Sequence, residues 1–291
     1  MQKVDVVLLT KNACRKKSKE IFVKCLNRIY DTLPLYHLIV VDGYSTDETL
    51  SIIRKYDQKY HNVLLFYDNR GRGKARELGI SKVDTPWFVF VDSDTILYPN
   101  WFSIVSKYIN ADVGAVEGEP KDFVQERVES IQYNNAMSNL RRKIRKQEQL
   151  ERRGFFGNVL IRTECVKDIQ IPKVLHAGED IYIKKWIIKK GFRWVITDEK
   201  VADHHRDHQF IDSKIRLLEQ GAYSRTLNYT TCNNLFYGFL ISFPKGLYAS
   251  IKFKNIRILV FSVSKRFYLL KGWLRWEKFL PYLDANFKKQ F

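Results

Sequence analysis

The first third of the chain alternates uninterrupted apolar runs with segments of helical periodicity. The apolar runs cover residues 4–9, 38–41, 63–67 and 87–91, and none of them shows the polar alternation of a half-exposed strand. Such runs predict strands that are buried on both faces, as in the middle of a parallel sheet. Residues 17–31 instead repeat apolar side chains at the spacing of a helix with one buried face. Repeated strand–helix units predict a doubly wound parallel sheet.

Polar segments follow these strands and predict where the next helices begin. After the second strand, Ser45 or Thr46 is the candidate cap of a helix whose first turn is acidic. After the third strand, residues 70–74 form a basic loop with two glycines, and a helix carrying Ala75 and Leu78 follows it.

The middle of the chain continues this alternation less regularly. We expect helices at 101–109, 122–153 and 210–226, a helix that opens at 178–180, and strands at 113–117, 155–162, 194–196 and 200–202. Residues 140–153 carry seven Lys or Arg and two Glu, which is typical of a solvated helix face. Residues 203–208 contain three His and are expected to form a turn.

The chain changes character after residue 235. Residues 241–291 carry eleven Lys or Arg against two acids, and these charges are interleaved with apolar and aromatic clusters. This combination is typical of an amphipathic segment that lies at a membrane surface. An ordinary helical hairpin packed on the rest of the protein is the alternative. We therefore expect one domain over residues 1–230 and a helical, membrane-surface segment over residues 231–291.

Composition narrows the class of protein and its partners. A length of 291 residues with 45% hydrophobic content suits one large domain or a domain with an appendage. The net charge of +18 predicts attraction to nucleic acid, acidic lipid headgroups or phosphorylated substrates. The four cysteines form no CxxC pair, which argues against a zinc site and a disulfide framework. With no signal peptide and no run of about 18 to 20 apolar residues, we expect a cytoplasmic protein.

Polar side chains gather where the predicted parallel strands end. Asp92 and Asp94 follow the fourth strand, and side chains two apart on a strand point the same way. Two adjacent carboxylates repel each other unless a cation lies between them, and hard oxygen ligands suit Mg²⁺ or Mn²⁺. Thr10, Asp42 and the basic loop at 70–74 end the first three strands. Ligands bind beyond the carboxyl ends of such strands, so this set predicts a site for a nucleoside diphosphate and a metal.

Five short motifs occur along the chain in a fixed order. They are Leu9-Thr10-Lys11-Asn12, Val41-Asp42-Gly43-Tyr44-Ser45-Thr46-Asp47, the loop and helix start at 70–79, Asp92-Ser93-Asp94 and Gly178-Glu179-Asp180. Together they resemble the motifs of family 2 glycosyltransferases, with Tyr44 inserted where the family motif is tighter. The resemblance covers about residues 4–225. It implies the GT-A (Rossmann-like) fold, with a mostly parallel sheet flanked by helices, and here a C-terminal amphipathic helical appendage.

The resemblance also implies roles for individual residues. It implies that the nucleotide-diphospho-sugar donor contacts Thr10, Asp42, Arg70, Lys74, Asp92 and Asp94, with Asp42 at the base. Asp92 would contact the ribose or the metal, and Asp94 would hold Mn²⁺ or Mg²⁺ on the diphosphate. His204 or His205 would complete the metal shell, and Arg206 would be an alternative contact for the diphosphate.

On the acceptor side, the resemblance makes Asp180 the general base that deprotonates an acceptor hydroxyl, with inversion at the anomeric carbon. Glu179 would orient the acceptor or cap its helix. The expected acceptor is a glycan or a lipid-linked molecule at the cytosolic face of an anionic membrane.

Other functions fit the sequence less well. A polyprenyl-phosphate sugar synthase has a phosphate acceptor that needs no base, so the Glu179-Asp180 pair favours a hydroxyl acceptor. A processive polysaccharide synthase would need spanning helices and a Gln-x-x-Arg-Trp motif, but Gly272 stands at the Gln position before Arg275-Trp276. A nucleotidyltransferase would have a glycine-rich loop after the first strand. A nucleic-acid-binding protein is suggested by the charge alone, and no nucleic-acid motif supports it.

Overall fold

The computed structural model describes residues 3–15, 18–124, 128–138, 154–173, 175, 178–206 and 214–279. The chain divides into two compact units. The sheet unit comprises Met1–Phe123 and Leu150–Arg206, and the helical unit comprises Val124–Gln149 and Asp207–Phe291. Packing thus divides the chain after Arg206 rather than after residue 230, because the helix that ends at Thr226 packs within the helical unit.

Eight strands form a single sheet. They are β1 (Val4–Thr10), β2 (Leu35–Asp42), β3 (Val63–Tyr67), β4 (Trp87–Asp92), β5 (Thr95–Leu97), β6 (Val113–Val124), β7 (Asn158–Arg162) and β8 (Arg193–Arg206). Their order is β3-β2-β1-β4-β7-β6-β8-β5. The four strands from β3 to β4 are parallel, whereas β7 is antiparallel to β4 and β6, and β5 is antiparallel to β8. The α/β class is confirmed, with the parallel character held by the first four strands.

The helices follow the expected alternation. In chain order they are α1 (Ser18–Thr32), α2 (Thr49–Tyr60), α3 (Arg72–Ser81), α4 (Trp101–Val105), α5 (Val128–Ser138), α6 (Glu179–Lys189), α7 (Lys214–Thr226), α8 (Cys232–Phe253), α9 (Arg257–Leu274) and α10 (Trp276–Phe279). Short 3₁₀ turns cover Ser106–Tyr108 and Thr163–Cys165.

Burial explains why the parallel strands have no polar alternation. The side chains of β1 from Val6 to Leu8 and those of β4 from Phe88 to Phe90 have no exposed surface. The helix α1 buries Phe22, Cys25, Leu26 and Ile29. This spacing of three and four residues gives α1 one apolar face for the core.

The structure corrects several local expectations. Neither Ser45 nor Thr46 caps a helix, because α2 begins only at Thr49 and Ser45 donates its hydrogen bonds to Asp42. The helix α3 begins at Arg72, inside the segment expected to be a loop. The two short strands and the His-rich turn at 203–206 are one strand, β8, because Asp203 and His204 pair with Ile96 and Thr95.

The predicted helix over 122–153 is only partly described. Residues 122–124 end β6, and Val128–Ser138 form α5. The strongly basic residues 140–153 lie outside the described residues, as do 207–208 of the His-rich segment and 280–291 of the C-terminal segment.

In the helical unit, α7 and α9 pack in very close contact. A Cβ atom at Gly221 would lie 2.1 Å from the carbonyl oxygen of Leu269, and one at Gly272 would lie 2.0 Å from that of Leu218. Only glycine allows the two backbones to approach this closely. The glutamine of a processive-synthase motif therefore has no room at position 272.

The helix α8 exposes its large apolar side chains and buries small ones. Ser242, Gly246, Ala249 and Ser250 are buried, whereas seven aromatic or aliphatic residues are exposed: Phe236, Tyr237, Leu240, Phe243, Leu247, Tyr248 and Ile251. No helix among the described residues combines the length and the apolar composition that a membrane crossing requires.

Candidate active site

A cavity of about 410 Å³ opens at the carboxyl ends of the parallel strands. The pairing registers bring these ends together, because Thr10 pairs with Asp42, Asp42 with Tyr67, and Leu9 with Asp92. The cavity is lined by residues at the ends of these strands and by two arginines of α3: Thr10, Lys11, Gly43, Asp68, Asn69, Arg72, Arg76, Asp92, Ser93 and Asp94. The cavity thus contains both cationic and carboxylate side chains.

Asp42 lies behind the cavity wall and is fully buried. Its carboxylate accepts hydrogen bonds from Thr10 Oγ1 at 2.7 Å, and from the backbone N–H and hydroxyl of Ser45 at 2.6 Å each. Asp42 therefore holds Thr10 in place. Thr10 lines the cavity, whereas Asp42 does not. Sequence analysis assigned Asp42 to the base and overlooked Ser45 as its partner.

The two basic residues predicted from the loop are held by neighbouring carboxylates. Arg70 Nη2 lies 2.6 Å from Asp68 Oδ2, and Lys74 Nζ lies 2.8 Å from Glu77 Oε1. Hydrogen bonds from Arg70 hold the pKa of Asp68 below its usual range. Neither Arg70 nor Lys74 is among the lining residues, whereas Arg72 is. Arg72 and Arg76, rather than Arg70 and Lys74, therefore supply basic groups that line the cavity.

Asp92, Asp94 and His204, which the family resemblance assigns to the metal, lie together in a cluster that could hold a metal ion. One ligand atom from each of the three side chains lies within 4.8 Å of the other two. His204 Nε2 is 3.4 Å from Asp94 Oδ1, and the His204 ring packs against Phe155 with the ring centroids 4.6 Å apart. The strand pairing of β5 with β8 brings His204 to this place. Two carboxylates and one imidazole suit Mn²⁺, which accepts both oxygen and nitrogen ligands.

Arg76 links the cluster to the predicted acceptor motif. Its Nη2 lies 3.2 Å from Asp92 Oδ1, and its Nε lies 3.5 Å from Glu179 Oε1. The guanidinium group is stacked 4.8 Å from the Phe90 ring centroid and 4.9 Å from that of Phe156. Among the described residues, Arg76 Nη1 and Glu179 Oε2 are buried without a hydrogen-bond partner. The sequence motif included Arg76, but it gave no signal for this bridging position.

Glu179 and Asp180 open α6 and are both buried. Glu179 is paired with Arg76 and, at 3.8 Å, with Arg72, and its side chain makes no cap of the helix. Asp180 accepts the N–H of Ile181 at 2.9 Å and is not a lining residue of the cavity. The predicted capping role of Glu179 is therefore wrong, because its carboxylate is directed to two arginines.

A buried ionisable pair lies one helical turn beyond Asp180. Burial lowers the pKa of the Lys184 ammonium group, and the carboxylates of Glu117 and Asp180 act in the opposite direction on it. Burial also raises the pKa of Glu117 to about 7, although Trp194 Nε1 donates to its Oε2 at 2.7 Å. Sequence analysis missed both residues, because Glu117 sits in an apolar strand and Lys184 in a helix with ordinary alternation.

The chain is similar in sequence to known glycosyltransferases. The family model described as "Glycosyl transferase family 2" matches residues 5–169. The chain is 26% identical over 178 residues to the teichoic acid poly(glycerol phosphate) polymerase of Staphylococcus epidermidis, covering 57% of this chain and 23% of that protein. It is 24% identical over 193 residues to the glycosyltransferase AglE of Haloferax volcanii, covering 62% and 61%. The chain thus spans less than two thirds of the length of either relative.

Two solved structures share the fold at low sequence identity. The mannosyltransferase PcManGT of Pyrobaculum calidifontis, in complex with GDP-Man and Mn²⁺, has a TM-score of 0.58 and 13% identity, covering 99% of this chain and 78% of that one. Residues 1–349 of S. aureus TarS, in complex with UDP-GlcNAc, have a TM-score of 0.56 and 18% identity, covering 76% and 65%. These likenesses support the GT-A fold. The extent of the family match shows that the chain belongs to glycosyl transferase family 2.

Proposed function

We propose that the protein transfers a sugar from a nucleotide-diphospho-sugar to an acceptor hydroxyl, with inversion at the anomeric carbon. The observation that carries this proposal is the cluster of Asp92, Asp94 and His204 at the edge of a cavity that is also lined by cationic side chains. A diphosphate needs both features, because its oxygens bind a divalent cation and basic side chains.

Donor binding would use the whole cavity. Lys11, Arg72 and Arg76 supply positive charge for the diphosphate. Asp42 would act on the base through Thr10, because its own oxygens already accept hydrogen bonds from Thr10 and Ser45. The structures of TarS with UDP-GlcNAc and of PcManGT with GDP-Man support a nucleotide-sugar donor for a chain of this fold.

Asp94, His204 and Asp92 would hold the divalent cation. Asp92 shares its Oδ1 with Arg76, and Asp94 Oδ1 lies 3.4 Å from His204 Nε2. A cation bound there would stabilise the negative charge that develops on the departing nucleoside diphosphate.

Asp180 would act as the general base. The acceptor oxygen forms a bond to the anomeric carbon while the bond from that carbon to the diphosphate breaks, and the acceptor proton moves to the Asp180 carboxylate. A sugar hydroxyl is a poor nucleophile at neutral pH, so this proton transfer speeds the reaction. Glu179, held by Arg76 and Arg72, would connect the acceptor side to Asp92.

The test compares transfer with donor binding in two variants. Asp180→Asn keeps the shape of the side chain and removes its basicity, so transfer should fall by about 10² to 10⁴ while donor affinity stays near wild type. Asp94→Ala should lose transfer and metal-dependent donor binding together. Asp112→Asn, an exposed carboxylate paired with Arg193, is the matched control and should change neither quantity.

A result near wild type for Asp180→Asn in both assays would exclude Asp180 as the base. The acceptor would then be a phosphate, which needs no base, and a polyprenyl-phosphate sugar synthase would replace the present proposal. Full activity of the wild type in excess chelator would instead show that the reaction does not need a divalent cation.

The acceptor is proposed to be a glycan or lipid-linked precursor of a cell-surface polymer. The names of several relatives support this, among them the teichoic acid polymerase of Staphylococcus epidermidis and the putative teichuronic acid glycosyltransferase TuaG of Bacillus subtilis. Such acceptors are assembled close to a membrane, and the helical unit has the surface that this location requires.

We propose that the helical unit binds the surface of an anionic bilayer without crossing it. At 3.6 residues per turn, the seven exposed apolar residues of α8 fall within an arc of about 140°, and Lys245 and Lys252 lie beside that arc. Residues 214–279 carry twelve Lys or Arg and two Glu, a net charge of +10 within the segment that contains this apolar face. Nucleic acid would match the charge but would leave the apolar arc exposed.

Vesicle co-sedimentation tests the membrane proposal on the intact chain. Binding to vesicles that contain phosphatidylglycerol should exceed binding to neutral vesicles and should fall as salt rises. Equal binding to both kinds of vesicle at every salt concentration would contradict the proposal. Truncation after Asn234 is a poor test, because removing α9 would uncover the surface of α7 against which it packs.

A further inference from the structure

A second cavity lies entirely within the helical unit. It has a volume of about 630 Å³ and is formed by the end of α7, the segment that joins α7 to α8, the first turn of α8, and the residues around the end of α9. Its wall combines Arg225, Trp273 and Trp276 with hydroxyl and amide side chains from the segment between 226 and 234. Cavities that bind small molecules have volumes of about 300 to 1,000 Å³ and a few polar groups set in apolar walls.

Arg225 is fixed in this cavity by aromatic contacts. Its guanidinium group lies 4.6 Å from the Trp273 ring centroid and 5.6 Å from that of Trp276. Its Nη1 donates to the carbonyl oxygen of Trp273 at 3.4 Å, and Trp273 Nε1 donates to the carbonyl oxygen of Thr230 at 3.2 Å. The tryptophan that supports Arg225 is thus itself tied to the opposite side of the cavity wall.

Among the described residues, no carboxylate is paired with Arg225. The described residues that line the cavity include no acid. Within the described part of the chain, Arg225 makes no ion pair, in contrast to Arg70, Arg76 and Arg193, which all do. A partly buried guanidinium group without a counter-charge attracts an anion from solution. Its planar donor pairs fit the oxygens of a phosphate.

The rest of the wall indicates what the phosphate would carry. The indole groups of Trp273 and Trp276 offer apolar surface for the C–H groups of a sugar or polyol. Thr230, Asn233 and neighbouring lining residues offer hydroxyl and amide groups for its O–H groups. We propose that this cavity binds a phosphate ester of a sugar or polyol. The same chemistry occurs in a soluble ester and in the glycerol-phosphate headgroup of a lipid.

Cys232 provides a local probe, because it lines the cavity while Cys14, Cys25 and Cys165 are buried. The experiment measures the rate at which iodoacetamide alkylates Cys232, by mass spectrometry of the peptide, with sn-glycerol 3-phosphate as the ligand. Saturable protection of Cys232 by the phosphate ester, and none by glycerol, is expected. A parallel arm replaces the soluble ester with phosphatidylglycerol vesicles. Protection in either arm supports the site and identifies the source of the phosphate if it is weakened in Arg225→Gln.

Two substitutions relate the protection to Arg225. Arg225→Gln should weaken it about 10- to 100-fold in apparent affinity, since a charge-assisted pair is lost. Arg225→Lys keeps the charge but loses the paired donors, so it should weaken the protection less than Arg225→Gln does. It takes the place of Arg225→Gln in the test if the glutamine variant does not fold. Arg275→Gln removes the same charge from an exposed residue outside the cavity and should leave protection unchanged.

The proposal is overturned if neither arm protects Cys232 in the wild type, or if Arg225→Gln and Arg225→Lys are protected as well as the wild type. Binding of the nucleotide-sugar donor is measured in the Arg225 variants and in Asp94→Ala. If Asp94→Ala loses donor binding but retains the protection of Cys232, this site is separate from the proposed transfer reaction.

Discussion

Helices α1 and α8 use their apolar residues in opposite ways. The helix α1 buries Phe22, Cys25, Leu26 and Ile29 in the core beneath the sheet. The helix α8 buries Ser242, Gly246, Ala249 and Ser250 and leaves its large aromatic and aliphatic residues exposed. An exposed apolar face of this size marks a surface that meets another apolar phase or a partner. The two helices therefore share an amphipathic pattern, and only their burial shows which face meets protein.

The polar interior of the two units differs as well. The sheet unit buries several ionisable groups, among them Arg76, which lies close to Asp92 and Glu179, and Lys184, which lies close to Glu117. The buried polar residues described between 214 and 279 are all serines. Buried charges are costly unless they are paired or hydrogen-bonded, and they are frequent at functional sites. The difference agrees with the proposal that the sheet unit carries the transfer reaction.

The largest expected effect is a loss of stability that distinguishes the two helices. Phe22→Ala removes a fully buried ring and should lower the free energy of unfolding by about 3 to 5 kcal/mol. Phe243→Ala removes a ring that is 56% exposed and should change the free energy of unfolding by less than about 0.5 kcal/mol. Urea unfolding of both variants, followed by circular dichroism, makes the comparison. An equal cost for the two would mean that α8 is covered by protein.

In a membrane-binding assay, the order of the two variants should be reversed, with the larger effect for Phe243→Ala. Phe243→Ala should weaken binding to anionic vesicles, by on the order of 1 kcal/mol for a ring that is partly buried in the bilayer. Phe22→Ala, assayed where it remains folded, should bind as the wild type does. If both variants bind equally, the apolar arc of α8 is not the surface that meets the bilayer.

The next effect concerns Glu117 and the pH dependence of stability. Its pKa is raised from 4.5 to about 7 in the folded protein, so the folded state binds the proton more tightly than the unfolded state. The contribution of the protonated Glu117 carboxyl group to the free energy of unfolding is fully present below about pH 4.5 and is lost as the pH rises through about 7. The wild type should therefore lose on the order of 3 kcal/mol between pH 4.5 and pH 8 through this group. Glu117→Gln, which retains an acceptor for Trp194, should lack that loss.

Urea unfolding of Glu117→Gln at several pH values makes this measurement, with Glu164→Gln as an exposed control whose pH dependence should match the wild type. If Glu117→Gln has the same pH slope as the wild type, Glu117 is charged in the folded protein, and the Lys184 ammonium group compensates its burial.

A last comparison tests the charges beside the apolar arc. Lys252→Gln on α8 should weaken binding to anionic vesicles by about 1 kcal/mol at low salt. Lys55→Gln on α2, an exposed lysine of the sheet unit, removes the same charge and should have no effect. Equal losses for the two variants would indicate that net charge, rather than the α8 surface, governs membrane binding.

Sequence patterns were sufficient where one strand or one motif carries the information. The buried strands β1 to β4 and the Asp92-Ser93-Asp94 motif follow from local pattern, whereas His204, with His205 as its alternative, came from the family resemblance. Patterns were insufficient where a partner comes from far along the chain. Arg76 meets Glu179, 103 residues away, and Trp194 meets Glu117, 77 residues away. Hydrophobic periodicity reports local secondary structure and does not indicate contacts between residues that are far apart in the sequence.

The sequence by itself determined the α/β class and the parallel strands, because long apolar runs bounded by polar turns have few other uses in a folded chain. Only the tertiary structure decided which basic residues serve the cavity, since Arg70 and Lys74 are held by neighbouring acids while Arg72 and Arg76 line it. It also decided which face of α8 is exposed. An amphipathic pattern fixes that a helix has two faces, but the burial of each depends on what packs against it.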